Sequence, residues 1–526
     1  MKKVFYALAA VAFLATSCSK EELTPGTGDN NSGTGSTTEV PGNLKILLRT
    51  DGKPVTASTE DGETSEKTVT DIMVYVFRRG DGSELLEDFK KFNSENVKEE
   101  MTMAVSTGQK HVVVLANYAS YPTDQSIGDG GRSEENMGKV DKEKTTYTQF
   151  KDRVMNLKAD NQAPFTGLKN DNTFLMSGFA EADVTPAAPS TQSDPEETSS
   201  AVTVNLTRFA GKVSLKNTSA DVPGSNDNIT KFTIKGIKVG NVAKSFYTFL
   251  HGGTSWTIPT LATYWPSQQD ESASETDQTK RLPITTKPGY YTDSRSQGWT
   301  TTDNVTQMIG YVSENGPAQP QMQAADVAKQ GTTTYVLVKG VLEPKKIYKK
   351  DGTSELTVGD ETTDIGQNKW QRGSTFYRVY VKKDNTQGFC SKYFGEKPDG
   401  TTTLDCIKTD MNNSNLQWSD CKVVEYPKAE CYYRVWFTRN NTGDNDMGPD
   451  NVYYHAIRRN EWFKINLTTV TDCGMNDEDQ NYDDQDKPVD DDSKVDPEQP
   501  VEPVSNLQFT ITVEDWKVVN QNTPLG

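Results

Sequence analysis

Short stretches in which apolar and polar residues alternate recur along the whole chain, and polar loops separate them. The first such stretch, 43–49, places Leu44, Ile46 and Leu48 on one face, as expected of a strand with one buried side. Residues 69–77 are apolar on both faces, which is typical of a strand in the middle of a sheet. Alternation of this kind predicts β-strands.

Further stretches of the same kind predict strands throughout the chain. They are 101–117 with a turn at Gly108, 201–206, 212–215, 232–239, 333–342, 376–381, 432–438 and 462–470. Short strands joined by polar loops predict an all-β protein built from β-sandwiches. We expect two sandwiches, over 43–222 and 223–474, because a polar run at 222–226 interrupts the strands.

One segment has helical rather than alternating spacing. In 145–158 the apolar residues are Tyr147, Phe150, Val154 and Leu157. Intervals of three and four residues predict an amphipathic helix there.

The C-terminal end has an unusual order of segments. An acidic, proline-containing linker at 475–505 precedes one last strand in the tail 506–526. Its apolar positions are Leu507, Phe509, Ile511 and Val513 on one face, then Trp516 and Val518 after a change of register. Such a strand pairs either with its own chain or with another molecule, and the sequence leaves both open.

The N-terminus resembles the signal of an exported lipoprotein. The apolar run 4–15 follows two lysines and is too short to span a membrane as a helix. Small residues stand directly before Cys18, as in a lipobox, whose cysteine is acylated, for example by palmitate. We expect a signal peptide over 1–17, lipidation at Cys18 and a flexible tether over 18–42. The alternative is a plain secretory signal with an incidental cysteine.

Charge and histidine content narrow the function. The chain has 56 Lys+Arg against 74 Asp+Glu, a net charge of −18, which disfavours binding to nucleic-acid phosphates. Its 3 histidines lie far apart, and no nucleophile elbow, P-loop, zinc-protease or dinucleotide motif occurs. We therefore expect no enzyme activity, no metal and no cofactor.

Six cysteines are present, of which Cys18 is assigned to the lipid. In an exported chain the other five allow at most two disulfides and one free thiol. The nearest neighbours in sequence are Cys390 with Cys406 and Cys421 with Cys431. These pairs are plausible disulfides across loops, but the sequence leaves the connectivity open.

The tripeptide Arg79-Gly80-Asp81 has the form of a receptor-binding RGD motif. It directly follows the strand predicted over 69–77, and Gly-Asp-Gly there is ordinary turn chemistry. We favour the turn.

Several short motifs follow one another along the chain in an order that matches a known family. They are the lipobox at Cys18, a first strand ending at Arg49, 69–77, Ala116-Asn117, Met176-Ser177-Gly178, 206–213, 457–467 and 513–519. Together they resemble the fimbrillins, the type V pilus subunits of Bacteroidia-like bacteria, and in particular the shaft subunits of minor fimbria.

The resemblance implies a structural pilus subunit made of two tandem transthyretin-like β-sandwiches. An arginine- or lysine-specific protease is expected to cut between Arg49 and Thr50, with Lys53 as the alternative site, and to release the first strand, 43–49. The C-terminal strand of another subunit then fills the groove by β-strand addition. Because head-to-tail addition does not close, it produces a filament.

The implied partners are further copies of the chain and accessory anchor and tip subunits. The implied location is a cell-surface fimbrium, with the precursor held at the outer membrane by its lipid, and the implied role is adhesion and biofilm formation. Two other classes compete with this hypothesis. One is a surface glycan-binding lipoprotein, since 8 Trp and 21 Tyr can stack on sugars, and the other is a secreted hydrolase.

Overall fold

A computed structural model of the chain gives its architecture. It describes residues 41–50, 53–54, 69–92, 100–117, 140–151, 154–156, 169–170, 173–186, 200–240, 242, 245–247, 299–301, 305, 309–313, 333–360, 368–438, 455–477 and 507–515. These residues belong to one compact unit. Among them, no helix is long and apolar enough to cross a membrane.

Nearly all regular structure in these ranges is β-strand. The strands of the first half are β1 (Pro41–Thr50), β2 (Lys53–Pro54), β3 (Ile72–Arg78), β4 (Leu86–Phe92), β5 (Glu100–Ser106), β6 (Gly108–Ala116), β7 (Val154–Asn156), β8 (Lys169–Asn170), β9 (Thr173–Phe174), β10 (Met176–Val184), β11 (Ser200–Arg208), β12 (Ala210–Leu215), β13 (Asp221–Pro223), β14 (Ile229–Gly240) and β15 (Ser245–Tyr247).

The second half continues in the same way. Its strands are β16 (Ile309–Ser313), β17 (Tyr335–Pro344), β18 (Ile347–Tyr348), β19 (Glu355–Gly359), β20 (Lys369–Gln371), β21 (Phe376–Lys383), β22 (Thr386–Phe389), β23 (Cys421–Tyr426), β24 (Glu430–Trp436), β25 (Glu461–Val470) and β26 (Leu507–Asp515). The α-helices in the described ranges are α1 (Tyr147–Lys151) and α2 (Leu404–Asp410).

An eight-stranded sheet carries the first part of the chain, in the order β2–β1–β11–β10–β6–β3–β4, with β5 paired to β1. Its apolar side chains form a first cluster, which runs in sequence from Leu44 to Ala210 and includes Tyr311. In β3 every residue from Ile72 to Phe77 is buried, and the strand lies between β4 and β6. The central position predicted for this strand is therefore confirmed.

Two four-stranded sheets carry most of the second part, in the orders β16–β12–β25–β26 and β13–β14–β17–β24. A second apolar cluster takes Phe463 from the first of these sheets and Phe232 from the other. The two sheets therefore share one core, as in a β-sandwich. Smaller sheets, β18–β19–β20 and β22–β21–β23, extend this cluster through residues such as Trp370 and Phe376. The all-β prediction is confirmed, and the division into two tandem domains stays a prediction.

The chain passes from the first cluster to the second within a nearly continuous strand. β11 ends at Arg208 and β12 begins at Ala210, so only Phe209 separates them. The residues predicted as a domain junction, 222–226, lie where β13 leads into β14, and Val222 belongs to the second cluster. The polar residues at 222–226 belong to the hairpin of β13 and β14. The passage from the first cluster to the second, at Phe209, has an apolar sequence like that of any other strand.

The helix predicted over 145–158 is shorter than expected. α1 covers Tyr147–Lys151, and Val154–Asn156 forms β7, which pairs with β15. Phe150 packs on Phe77 with ring centroids 5.3 Å apart. Tyr147 and Phe150 are spaced as in a helix because both side chains contact β3. At Val154, pairing with β15 determines the conformation instead. Leu157 lies outside the described residues.

Candidate functional site: the first and last strands

The first strand, β1, is hydrogen-bonded to neighbours along both of its edges. On one edge it runs parallel to β11, from Leu44 opposite Ser200 to Thr50 opposite Leu206. On the other edge it runs antiparallel to β5, from Pro41 opposite Ser106 to Leu47 opposite Glu100, and its last two residues pair with β2. Removing β1 would therefore leave a slot with free backbone groups on both walls.

The inner face of β1 fills the first core cluster. Leu44, Ile46 and Leu48 are each 0 % exposed, which confirms the face predicted from their alternation. Burying three such side chains is worth about 5–9 kcal/mol before ordering costs. The slot narrows at Gly42, where an added Cβ would lie 2.7 Å from Cγ1 of Val184 and 2.9 Å from the carbonyl oxygen of Thr185.

The side chains on the outer face of β1 are less buried than those on the inner face. Lys45 lies there and forms an ion pair with Glu100 of β5 at 2.5 Å, and the two side chains are 33 % and 51 % exposed. An ion pair with this exposure contributes little to stability. The strand is thus held by its inner face and its two ladders.

The bond predicted to be cut lies at the end of β1. The backbone of Arg49 pairs with Asn205 of β11 and with Pro54 of β2, and that of Thr50 pairs with Leu206 and Lys53. A protease needs an extended, unpaired substrate, so this end of β1 must open locally before it is cut. Asp51 and Gly52, which follow this bond, lie outside the described residues.

The last described strand, β26, lies at the edge of its sheet. Nine residue pairs join it to β25 in antiparallel register, from Glu461 opposite Asp515 to Val470 opposite Leu507. The register shifts between Leu467 and Thr469 of β25, close to the end of the pairing at Leu507. In the single chain, β26 therefore completes its own sandwich, which is one of the two outcomes that the sequence left open.

The apolar face of β26 only partly matches that of β1. Leu507 is 0 % and Ile511 2 % exposed, and the half-buried Phe509 packs against the second cluster. The predicted common face is confirmed for these three residues. The backbone of Val513 is described opposite Phe463, whereas Trp516 and Val518 lie outside the described residues. Cys18 also lies outside them, as do most of the acidic linker and all of the tether except 41 and 42, which belong to β1.

Comparison with known proteins identifies the family of both ends of the chain. Residues 42–208, which include β1, match the family model of the major fimbrial subunit protein (FimA). Residues 424–522, which include β26, match the model of the major fimbrial subunit protein type IV, fimbrillin, C-terminal. The chain belongs to the fimbrillin family. This fimbrillin is therefore a subunit of a cell-surface fimbrium, in a family whose members are structural proteins and not enzymes.

Solved structures of related type also resemble this fimbrillin. One is a fimbrilin (fimA) from Porphyromonas gingivalis W83, 15% identical over 92% of this chain and 99% of that one, with a TM-score of 0.43. Another is the tip fimbrial protein Mfa3 from Porphyromonas gingivalis, 10% identical over 90% of this chain and 99% of that one, with a TM-score of 0.33. The fimbrial anchor protein Mfa2 from the same organism is 17% identical over 43% of this chain and 66% of that one, with a TM-score of 0.24. No curated protein matches the sequence significantly.

The suggested disulfides of this fimbrillin are not formed. Cys390, Cys406, Cys421, Cys431 and Cys473 are all free thiols. Cys390 lies in a small apolar cluster, and the thiol of Cys406 faces Nζ of Lys392 at 3.1 Å. Cys421 begins β23 and Cys431 lies in β24, which belong to different sheets. The suggested pairs, Cys390 with Cys406 and Cys421 with Cys431, are therefore corrected: cysteines that are close in sequence lie in separate elements of the fold.

The RGD tripeptide of the fimbrillin has both charged groups engaged within the protein. Arg79 forms an ion pair with Glu181 of β10 at 2.9 Å. The carboxylate of Asp81 accepts hydrogen bonds from the backbone N–H groups of Glu84 at 2.7 Å and Ser83 at 3.0 Å. The bond from Glu84 is the largest influence on Asp81 and lowers its pKa. This geometry supports the turn.

Sequence reasoning missed a buried ion pair beside the end of β25. The side chain of Arg378 is 2 % exposed, and its guanidinium donates hydrogen bonds to both carboxylate oxygens of Asp472. The hydroxyl of Tyr393 also donates to Asp472, at 2.7 Å. Burial alone would raise the pKa of Asp472, but Arg378 and these hydrogen bonds outweigh it and lower the pKa. A lone arginine in an apolar strand, at Arg378 in β21, was the only sequence signal for this pair.

Proposed function

We propose that this fimbrillin is a shaft subunit that polymerises by strand exchange. In this mechanism β1 is removed, and the C-terminal strand of another copy occupies the slot between β5 and β11. The observation that carries the proposal is the difference in pairing. β1 has a partner strand on each edge, whereas β26 has one partner, β25, among the described strands.

Because the position of β1 offers two paired edges and that of β26 only one, a C-terminal strand gains backbone pairs when it moves into the slot of another subunit. A strand that leaves the edge of β25 gives up nine residue pairs and the burial of Leu507 and Ile511. In the slot of β1 it can form up to seven residue pairs with β11 and seven with β5, and it can fill the positions of Leu44, Ile46 and Leu48. The exchange therefore favours the filament once the slot is open, and β1 prevents it before then.

Processing then controls when assembly begins. Lipidation at Cys18 and the tether 18–42 hold the precursor at the outer membrane, and β1 lies between this anchor and the rest of the chain. Cleavage between Arg49 and Thr50 both frees the subunit from its lipid and allows β1 to leave. We expect Arg49→Ala to leave a lipidated precursor that does not polymerise, with any residual cleavage at Lys53. N-terminal sequencing of surface-released protein tests this, and filament subunits that still begin at Cys18 would contradict it.

The same scheme defines the partners. Each subunit receives a strand at one end and donates one at the other, so the contact is heterologous and the filament stays open. An anchor subunit and a tip subunit are needed to end such a filament. The filament supports adhesion and biofilm formation at the cell surface.

A disulfide lock on β1 tests the proposal. Lys45 and Thr102 lie directly opposite each other on β1 and β5, and Thr102 is exposed. Opposed residues of antiparallel strands have Cα atoms about 4.5–5.5 Å apart, which suits a disulfide. We expect the oxidised double variant Lys45→Cys/Thr102→Cys, after cleavage at Arg49, to form no filaments until a reductant is added.

The two single variants are the matched controls. Each should polymerise equally well with and without reductant, because neither can join β1 to β5. The proposal is overturned if the cleaved and locked protein forms filaments as fast as the single variants do.

A further inference from the structure

The outer face of the first sheet carries an aromatic residue, Phe179, that is not buried in either core cluster. Phe179 of β10 is 41 % exposed, and it is the only large hydrophobic residue classed as exposed within the described ranges. It is the first residue of β10 after the pairing with β11 ends at Gly178 opposite Leu206. A single exposed ring is common on protein surfaces, so its surroundings decide whether it has a use.

A stack of rings supports Phe179 from one side. The rings of His111 and Tyr147 lie parallel, with centroids 4.0 Å apart and planes 13° apart. Phe179 contacts both, at 5.7 Å from His111 and 5.7 Å from Tyr147. Tyr147 is fixed in turn by Phe77 of β3 at 5.6 Å. The exposed ring therefore has a rigid base, which reduces the ordering cost of binding a ligand.

A polar pair lies beside the ring on the same face of β10. Glu181 is two residues beyond Phe179, so the two side chains are about 7 Å apart along one face. Glu181 forms an ion pair with Arg79 at 2.9 Å, and the two side chains are 44 % and 36 % exposed. A guanidinium only donates hydrogen bonds and a carboxylate only accepts them, so the pair offers both.

The buried ring of His111 has a nitrogen with unused bonding capacity. His111 is 8 % exposed in its side chain, and its Nε2 faces Glu84 at 3.3 Å. Its Nδ1 points toward Glu181 at 3.9 Å, too far for a hydrogen bond, and has no hydrogen-bond partner in the described part of the chain. A small movement of Glu181 on ligand binding would bring its carboxylate within reach of this nitrogen.

We propose that the ring of Phe179 and the adjacent Arg79–Glu181 pair form a binding site for a neutral sugar ring. A pyranose has a face of C–H groups and a rim of hydroxyls. The C–H face can lie on the negative face of the aromatic ring, and the rim hydroxyls can bond to the guanidinium and the carboxylate.

Charge balance favours a neutral ligand over an organic cation. Aromatic rings beside carboxylates also bind cations such as quaternary ammonium groups. Here Arg79 already neutralises Glu181, and Glu84 faces His111. A cation would have to displace Arg79, whereas a hydroxyl can bond to the existing pair.

Saturation-transfer NMR on the full, unprocessed chain tests the site. The probes are methyl α-D-mannopyranoside, methyl β-D-galactopyranoside, methyl β-D-glucopyranoside and tetramethylammonium. We expect at least one glycoside to bind with a dissociation constant on the order of millimolar, as a shallow site allows. Phe179→Ala should weaken its binding at least tenfold, and Glu181→Gln should weaken it severalfold. Because the chain is unpolymerised, the result does not depend on strand exchange.

Two variants separate recognition from general damage. Phe179→Tyr keeps the ring and should bind within threefold of the natural chain. Asp183→Asn changes an exposed carboxylate further along the same face of β10 and should bind within twofold. The proposal is overturned if none of the glycosides binds, if Phe179→Ala binds them as the natural chain does, or if tetramethylammonium alone binds.

Discussion

The first and last strands of this fimbrillin share an alternating apolar pattern and differ in their positions within their sheets. β1 and β26 each carry three alternating apolar residues that contact a core, Leu44, Ile46 and Leu48 in one and Leu507, Phe509 and Ile511 in the other. β1 has a partner strand on each edge, β11 on one and β5 with β2 on the other, whereas β26 pairs with β25 alone among the described strands. A strand that is paired on both edges cannot leave without opening its sheet, while a strand that is paired on one edge can detach with the rest of the sandwich intact. Strand exchange therefore needs one strand that can be removed, β1, and another that can detach from its own sheet, β26.

The largest expected effect comes from placing a charge on the inner face of each strand. Ile46→Asp should destabilise the first cluster by about 4 kcal/mol or more, because an unpaired carboxylate replaces a fully buried side chain. Ile511→Asp should cost less, about 1–3 kcal/mol, because β26 can detach from the edge and expose the charge. Urea denaturation of both variants measures the difference. Equal losses would mean that β26 is as firmly built in as β1.

The buried ion pair between Arg378 and Asp472 bears on the comparison of β1 with β26. It holds the chain in place at the end of β25, before the segment that leads to the detachable β26. Asp472→Asn leaves the buried Arg378 without its charge partner and should cost about 3 kcal/mol at neutral pH. The folded pKa of Asp472 is lowered, so its contribution is present above the unfolded pKa, near 4, and is lost as pH falls toward the folded value. The natural chain should therefore lose stability below about pH 4 more steeply than the variant does. Parallel acid titrations of the two proteins would contradict this pairing.

Hydrogen exchange compares the two strands without any mutation. Detachment of β26 breaks one ladder, whereas release of β1 breaks two, so amides of β26 should exchange at least about ten times faster than those of β1. Mass spectrometry of peptic fragments covering 41–50 and 507–515 gives both rates. Slower exchange in β26 would argue against its role as a detachable donor.

The smallest effect should come from the outer face of β1. Lys45→Ala removes an exposed ion pair with Glu100 and should change the free energy of unfolding by less than about 1 kcal/mol. Thermal unfolding of this variant is the measurement. A larger loss would mean that the outer face helps to hold the strand.

Local patterns along the sequence predicted much of the fold, including the strands around 69–77 and 101–117 and the inner face of β1. These features depend on residues two positions apart. The pairing of β1 with β11 could not be predicted, because Leu44 and Ser200 meet only through the topology of the whole sheet. For the same reason, distance along the sequence could not show that the cysteines suggested as disulfide pairs lie in separate elements. The passage at Phe209 was missed because an apolar residue between two strands looks like part of either one.

The central claim is that β26 leaves β25 when a filament forms, and one disulfide measures this directly. Asn466 and Thr510 lie opposite each other on β25 and β26, so Asn466→Cys/Thr510→Cys can be oxidised within one chain only while β26 is in place. A control pair, Thr233→Cys/Val341→Cys, joins β14 to β17, which should stay paired in both states. After oxidation of free subunits and of preformed filaments, mass spectrometry should find the control disulfide in both, and the Asn466→Cys/Thr510→Cys disulfide in free subunits but not in filaments. If that disulfide forms within single chains of the filament as readily as in free subunits, β26 has not moved and the account is contradicted.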